Sequence, residues 1–349
     1  FCDVIVIGSG PAGVAAALEI VNKKVNVILV EQDSLVGGDN LSEKNFDSKS
    51  IYNQLKNSGI KVMTRTTAFG VYDNTVVGVL ERVTDHLSSP NEKLPRQRFW
   101  TIRARHIILA SGAIERHVAF NNNDIPGVMT VNASKHYLHR YGIITGKKIV
   151  IATNNDSVYE TAKELYEAGS KVTIIDSRKK INIELPKGIQ HYLNTVPFNI
   201  NGKKNIESLD VCQSSDSTKK NTIICDQVLI SGGWSPIVNL VSHRGIKPIW
   251  NEDNLCFIPG EIKENITVVG SARGIWNLND CKNSGIAGAN ETLNKLGIHK
   301  KEITFPKVGG WVNPIEPLFE VKSKKFPSKS FVDFQHDVTV DDVRLAHRE

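Results

Sequence analysis

The run Val4-Ile5-Val6-Ile7-Gly8-Ser9-Gly10-Pro11-Ala12-Gly13 decides how the rest of this chain is read. Its four β-branched residues in succession predict a buried strand. Gly8, Gly10 and Gly13 then stand at G-x-G-x-x-G spacing, and Val14 to Asn22 continues as a helix. A second apolar strand, Val25 to Val30, ends on Glu31. Each glycine has its own physical reason. Gly8 permits the tight turn, Gly10 lets the backbone approach a pyrophosphate, and Gly13 lets the helix pack closely on the strand. The phosphates would rest on free N–H groups at the start of the helix, beside Pro11 and Ala12. Glu31 would accept hydrogen bonds from a ribose diol. A strand before the glycines, a helix after them and an acid at the next strand end together predict a dinucleotide-binding βαβ unit.

Reading outward, Gly37 and Gly38 form a loop on the adenosine or pyrophosphate side. Asp39 to Lys49 is a polar connection into a helix over Ser50 to Asn57. Lys61 to Thr67 reads as a strand closed by Ala68-Phe69-Gly70. Val71 to Glu81 and Arg98 to Arg103 read as a β-meander around the polar loop Asp85 to Gln97. His106 to Ala113 is a buried strand running into a glycine turn at Gly112. A second βαβ unit follows: strand Lys148 to Ala152, helix Ser157 to Ala168, strand Lys171 to Ile175 ending at Asp176. Its loop, Thr153-Asn154-Asn155-Asp156-Ser157, lacks the glycines of a phosphate site. Asp156 puts negative charge where a pyrophosphate would lie, so this unit is expected to be a Rossmann half without a dinucleotide. Asn205 to Gln213 and Thr222 to Ile230 read as paired strands, and Ser231 to Pro236 returns the chain to the first domain. Ile266 to Ala272 is the last strand there, followed by a helix over Asn279 to Leu296.

The predicted fold class is therefore α/β, with two Rossmann-like dinucleotide-binding domains of the FAD/NAD(P)-binding type, the second inserted in the first. Residues 1–115 and 235–300 make the first domain, 116–234 the inserted degenerate one, and 301–349 a connector. Flavoproteins of this architecture carry Ala-Thr-Gly at the crossover and Gly-Asp after the last strand, where the Asp binds the flavin ribityl chain. Here Ala110-Ser111-Gly112 keeps the hydroxyl, but Gly270-Ser271 lacks the acid. A nucleotide without a ribityl group, such as NAD, is expected in preference to FAD.

The 349 residues are 40% hydrophobic and 23% charged, the composition of a globular chain with a sizeable core. A net charge of +6 spread over scattered lysines does not form the basic, aromatic-laced stripe of a nucleic-acid binder. Apolar runs are strand-sized, well short of a membrane span. Cys2, Cys212, Cys225, Cys256 and Cys281 are odd in number and contain no C-x-x-C pair, which argues against a disulfide framework, a zinc site or a dithiol centre and points to a reducing cytoplasm. The chain starts inside a strand and stops in a helix without a stop signal, which reads as a piece of a longer polypeptide.

Several longer stretches go beyond a generic fold. They are RTTAFGVYD (65–73), LPRQRFW (94–100), ASGAIER (110–116), NNDIPGVM (122–129), YLHRYG (137–142), TNNDS (153–157) and FVDFQHDVT (331–339). Together and in this order they resemble the α subunits of heterotetrameric sarcosine oxidases, over essentially the whole chain. The resemblance implies oxidative demethylation of sarcosine to glycine by four different subunits. FAD and the amine oxidation lie on the β subunit, and a covalent FMN at the α–β interface passes electrons to oxygen. The γ and δ subunits complete the complex. NAD lies in the N-terminal unit of α. Tetrahydrofolate is bound by an aminomethyltransferase-like domain that would follow Glu349. The implied NAD contacts are Ala12, Glu31, Gln32, Asp33, Asp39, Ala68, Ser271, Trp276 and Leu278. Asp39 stands where the family has a small hydroxyl residue, Gln32 where it has a second acid, and Trp276 and Leu278 where it has smaller or polar residues.

Related amine dehydrogenases append a cysteine-ligated [2Fe–2S] segment, and Phe331 to His336 stands at that place without a cysteine, so no ordinary cluster is expected. Two rival readings are an FAD-dependent opine, proline or cyanide-forming glycine dehydrogenase subunit, and a Rossmann scaffold that only positions partners. No metal-site spacing occurs among the histidines. His136 and His139 share a predicted helix face, where packing explains them. Ser111 and Ser231 lack the G-x-S-x-G elbow, and Trp234 and Trp311 read as packing residues. No catalytic acid, base or nucleophile stands out, as expected if a partner subunit carries the amine chemistry.

Overall fold

A computed structural model describes residues 1–21, 23–322 and 329–349. Asn22, the end of the predicted first helix, and 323–328 of the predicted connector lie outside the described residues. The chain forms two compact units. Unit 1 is Phe1–Ile114 with Ser235–Gly310, and unit 2 is Glu115–Trp234 with Trp311–Glu349. Residues 301–310 thus belong to unit 1 and those from Trp311 onward to unit 2.

In chain order unit 1 begins with β1 (Cys2–Ile7), α1 (Pro11–Val21), β2 (Val27–Val30), α2 (Ser48–Asn57) and β3 (Lys61–Met63). Then come β4 (Thr66–Tyr72), β5 (Val76–Arg82), β6 (Gln97–Leu109) and β7 (Ala113–Glu115), the last running into unit 2. Unit 2 contains β8 (Val128–Thr130), α3 (Val131–Tyr141), β9 (Lys148–Thr153), α4 (Val158–Glu167), β10 (Lys171–Asp176) and β11 (Gln190–Tyr192). It continues through β12 (Thr195–Gly202), β13 (Ile206–Gln213), β14 (Asp216–Ile224) and β15 (Gln227–Ser231). After β16 (Trp234–Pro236), unit 1 resumes with α5 (Asn239–Ser242), β17 (Ile249–Asn251), β18 (Cys256–Ile258), β19 (Ile266–Val268) and α6 (Leu278–Lys295). The hairpin β20 (Phe331–Asp333) and β21 (Val338–Thr339) and the helix α7 (Val340–Arg348) close the described chain.

The sheet of unit 1 is parallel in the order β3-β2-β1-β6-β19, and β5 and β4 extend it antiparallel from β6. β1, β2 and the end of β6 are near-continuous Val, Ile and Leu because both faces of a parallel sheet are covered. One face packs with Ile5, Ile7, Ile107 and Leu109, the other with Val4, Val6, Leu29 and Ile108 against α1 residues Ala16, Ala17 and Ile20. Unit 2 repeats the arrangement with the parallel order β11-β10-β9-β15-β8, beside a three-stranded antiparallel sheet β12-β13-β14.

The α/β reading of two Rossmann-type sheets is thus the observed fold. Several strand boundaries differ from expectation. Val71 to Glu81 breaks at Asp73–Thr75, between β4 and β5, and Ile266 to Ala272 ends as a strand at Val268, before the single turn Gly270–Arg273. Lys61 to Thr67 is not one strand: Arg65 takes φ 52° and bonds Asp33 O through its N–H at 2.7 Å, so the chain leaves the parallel sheet after Met63 and starts the meander at Thr66. The separate strands expected at Arg98–Arg103 and from His106 are a single 13-residue strand, β6. Its first part alternates exposed and buried side chains in the meander, and its last four residues are all buried in the parallel sheet, so the change of pattern marks a change of surroundings rather than a break. Thr222 to Ile230 divides at Cys225-Asp226, where the Asp226 carboxylate accepts from the Lys147 and Lys148 N–H groups at 3.2 and 2.9 Å and redirects the chain into β15.

Candidate functional site

The glycine turn sits between β1 and α1 at the carboxyl end of the parallel strands of unit 1. Gly8 has φ +101°, and a Cβ on it would lie 2.3 Å from Ala110 O at the end of β6. A Cβ on Gly13 would lie 2.0 Å from Gly8 O. Both positions therefore exclude side chains for packing reasons alone. Gly10 differs: nothing lies within 4 Å of where its Cβ would be, so the turn is open on that side. The first turn of α1 has no acidic residue, and its N–H groups beyond Pro11 lack intrahelical acceptors. An open, uncharged helix start of this kind suits an anion.

Glu31 is buried and held before any ligand arrives. Its Oε2 accepts from Ser9 N at 2.9 Å and Ser9 Oγ at 2.6 Å, and its Oε1 from Asp33 N at 2.8 Å. A carboxylate offers about four acceptor directions. Three are taken, which leaves Oε1 to accept one hydroxyl rather than a full diol. Ser9 Oγ also accepts from Gly37 N at 3.1 Å. Ser9 thereby ties the phosphate turn, the acid and the Gly37-Gly38 loop together. In the sequence Ser9 occupies a variable position of the motif and does not stand out. Its hydroxyl type was the only signal.

The other predicted residues distribute as follows. A Cβ on Gly38 would lie 2.8 Å from Gly10 Cα, so this loop packs directly on the phosphate turn, and Asp39 follows on its exposed side. Gln32 is exposed and its carbonyl accepts from Arg82 Nη2 at 3.0 Å. Ala68 lies half-buried in β4, paired with Val79. At the crossover, Ser111 Oγ donates to Ile237 O at 2.6 Å, and a Cβ on Gly112 would lie 4.0 Å from Ser271 Oγ. Gly270 would place a Cβ 2.6 Å from Ala12 Cβ. Gly8–Gly13, Gly38, Gly112, Gly270 and Ser271 therefore surround one place. Trp276 donates its indole N–H to Asn254 Oδ1 at 3.0 Å, and Leu278 is an exposed residue opening α6.

The corresponding place in unit 2 is filled by the protein itself. Asn155 donates through Nδ2 to Ser231 O and Oγ at 3.2 and 3.1 Å. Arg178, two residues beyond Asp176, turns back with its side chain only 2% exposed. Its Nη2 bonds Asp176 Oδ2 at 2.8 Å and its Nη1 bonds Asp156 Oδ1 at 2.8 Å. Asp156 Oδ2 also accepts from Asn313 N at 2.7 Å. Burial pushes the Arg178 pKa down, but its hydrogen bonds to both carboxylates and their charges outweigh that and hold it above its ordinary value. Asp176 also accepts from the Tyr159 hydroxyl at 2.6 Å; burial, first, and that charge push the phenol pKa up.

All five cysteines are buried and none forms a disulfide among the described residues. Burial pushes the thiols of Cys2 and Cys281 up to about 11 and that of Cys225 up to about 12, so these are packing residues and not activated thiolates. His139 pairs with Glu164 at 3.1 Å. Among the described residues, no cluster of His, Cys, Asp and Glu is arranged to hold a metal ion, and no helix is long and apolar enough to cross a membrane.

The doubly wound sheets and the glycine turn define a dinucleotide-binding oxidoreductase fold. Residues 2–281 match the family model of the pyridine nucleotide-disulphide oxidoreductases, and the chain belongs to that family. The motif resemblance holds at full length: the chain is 37% identical to sarcosine oxidase subunit alpha of Rhizobium meliloti (strain 1021), over all of this chain and 36% of the relative. It is 29% identical to sarcosine oxidase subunit alpha of Corynebacterium sp. (strain U-96), over 99% of this chain and 38% of the relative. The chain thus spans little more than a third of the length of these two relatives. Among solved structures, L-proline dehydrogenase from P. horikoshii superposes with a TM-score of 0.65 at 23% identity, over 86% of this chain and 56% of the other, a likeness of fold.

Proposed function

We propose that unit 1 holds NAD at the Gly8–Gly13 turn and that the chain is the dinucleotide-binding part of a sarcosine oxidase α subunit. The observation that carries the dinucleotide assignment is the open side of Gly10, set between an acid-free helix start and a carboxylate already fixed by Ser9. The first turn of α1 would take the pyrophosphate, and Glu31 Oε1 would take one adenosine ribose hydroxyl. The loop at Gly38 would cover the phosphates, and the backbone of Ala68 would border the adenine. Ser271, a neutral hydroxyl beside Gly112, supports NAD over FAD because it offers no charge to a ribityl chain. A bound NAD would supply a nicotinamide, a hydride carrier. The residues around it bind and orient, and none is positioned as an acid or base. In this reading a flavin-bearing β subunit carries the amine oxidation, the smaller γ and δ subunits complete the complex, and a tetrahydrofolate-binding domain of the same α subunit captures the one-carbon unit. A reducing cytoplasmic setting accords with cysteines that form no disulfide among the described residues.

The test is to purify the full-length subunit with its partners, denature it and assay the released nucleotides. NAD at one equivalent per α subunit is expected, and Gly10→Glu should abolish it by filling the pyrophosphate path. FAD released from α, with no NAD, would overturn the NAD assignment. Sarcosine-dependent oxygen uptake by the same preparation tests the activity, and turnover of proline or an opine but not sarcosine would overturn it.

A further inference from the structure

A cavity of about 250 Å³ lies in unit 1 away from the glycine turn, against the strand β19. Its walls mix aliphatic side chains, Ile258, Ile262, Ile266 and Val308, with polar surface, and Arg273, Glu291 and the exposed Glu261 are its charged groups. Arg273 and Glu291 are the two held within the fold. The two differ in what they already have. Glu291 bonds Lys295 Nζ through Oε1 at 2.9 Å and accepts from Thr267 Oγ1 through Oε2 at 3.2 Å. Thr267 Oγ1 in turn meets His106 Nε2 at 3.0 Å, so Glu291 is anchored in a polar chain running into the core. Arg273 is half-buried and stacks over the Phe305 ring at 4.2 Å, and among the described residues nothing accepts a hydrogen bond from it. Burial pushes its pKa down, with the Glu291 charge opposing, which is the mark of a cation short of a partner.

We propose that this cavity is a binding site for a small monocarboxylate with a short apolar body, its carboxylate on Arg273. A guanidinium seated over a ring keeps its planar N–H fork, which a carboxylate matches with two parallel bonds. Arg273 and the Lys295 ammonium are balanced by Glu291 and the exposed Glu261, so the site carries no surplus charge, and the free carboxylate of Glu261 opposes a second negative charge on a ligand held by Arg273. A monoanion is therefore favoured over a phosphate dianion. The space is below the roughly 300–1,000 Å³ of sites for drug-sized ligands, which excludes a nucleotide. The aliphatic patch of Ile258, Ile262, Ile266 and Val308 gives a short branched body of three or four carbons a surface to pack on. Arg273 ends the single turn Gly270–Arg273 that also carries Ser271, so the cavity and the proposed dinucleotide site share that turn but no ligand-contacting residue.

The experiment is calorimetric or NMR titration of the full-length subunit in its complex with isobutyrate and, at matched ionic strength, with inorganic phosphate. Isobutyrate binds and phosphate does not. Arg273→Gln weakens isobutyrate at least about tenfold, the factor carried by a charge-assisted pair. Glu261→Gln tightens it about twofold, as expected for removing a nearby exposed like charge, and a gain of this kind does not arise from misfolding. Nucleotide content stays as in the parent in both variants, so failure here is distinguishable from failure of the NAD assignment. No isobutyrate binding to the parent, equal binding of phosphate, or an affinity unmoved by both substitutions overturns the proposal.

Discussion

Arg178→Met removes one guanidinium from unit 2 and keeps most of the side-chain volume. In the native protein that side chain is 2% exposed and bonds Asp176 through Nε and Nη2, Asp156 through Nη1 at 2.8 Å, and Pro314 O at 3.3 Å. Without it, Asp176 keeps the Tyr159 hydroxyl at 2.6 Å and the backbone N–H of residue 178 at 2.8 Å, but it has no countercharge while fully buried. Deleting one partner of a buried pair costs about 3–5 kcal/mol, because the charge left behind is uncompensated. At a urea m-value of about 3 kcal/mol/M the midpoint of unit 2 falls by about 1–1.7 M. Urea-dependent hydrogen exchange at the amides of β9 and β10 reads this within the unit concerned. Combining Arg178→Met with Asp156→Asn removes one orphaned charge, so the double variant is more stable than the sum of the single losses predicts. A loss under about 1 kcal/mol, within the range of an ordinary substitution, or strict additivity in the double variant, would show that Arg178 is not the internal counterion described above.

Three further outcomes follow from unit 1. Glu31→Gln should weaken NAD by about 10- to 100-fold in equilibrium binding, the worth of a hydrogen bond to a charged group, and unchanged affinity would remove Glu31 from the site. Asp39→Ser should tighten NAD about two- to fivefold at low salt and lose that advantage near 1 M salt, where the Debye length is about 3 Å; a salt-independent effect would count against charge repulsion from Asp39. Burial, with a smaller push from Lys295, holds the His106 imidazole down at about 3 against an ordinary 6.5, so the folded protein keeps it neutral where the unfolded chain protonates it. The stability this represents is complete above pH 6.5 and is lost as the pH falls toward 3, at about 1.4 kcal/mol per pH unit. His106→Leu should flatten that part of the stability–pH curve by one proton, and an unchanged slope between pH 4 and 6 would place the linkage elsewhere.

What could be read from the residues alone divides along a physical line. The turn at Gly8–Gly13 was legible because its requirements are local: a backbone that must turn, a helix that must start and a strand that must stop all leave their marks within a few positions. β6 was not, because one strand crosses from a meander with an open face into a sheet covered on both faces, and its apolar pattern reports the neighbours rather than the backbone. Side chains that act across the fold were the least legible. Asp156 was visible as a charge in the wrong place for a phosphate, but the arginine that neutralises it is 22 positions away and reads in sequence as one member of the basic run Arg178-Lys179-Lys180. Ser9 is the opposite case, next to the motif yet important only because Glu31 returns to it across 22 positions. The two Rossmann units thus solve one electrostatic problem in different ways. Where the second strand ends on an acid, that acid needs donors. In unit 1 they are Ser9 and a backbone N–H, neutral groups that leave an acceptor free and the helix start open. In unit 2 they include a full cation that also pairs with the loop through Asp156. An acid held by neutral donors beside an open helix start can receive a nucleotide, whereas an acid held by its own arginine has already received its counterion.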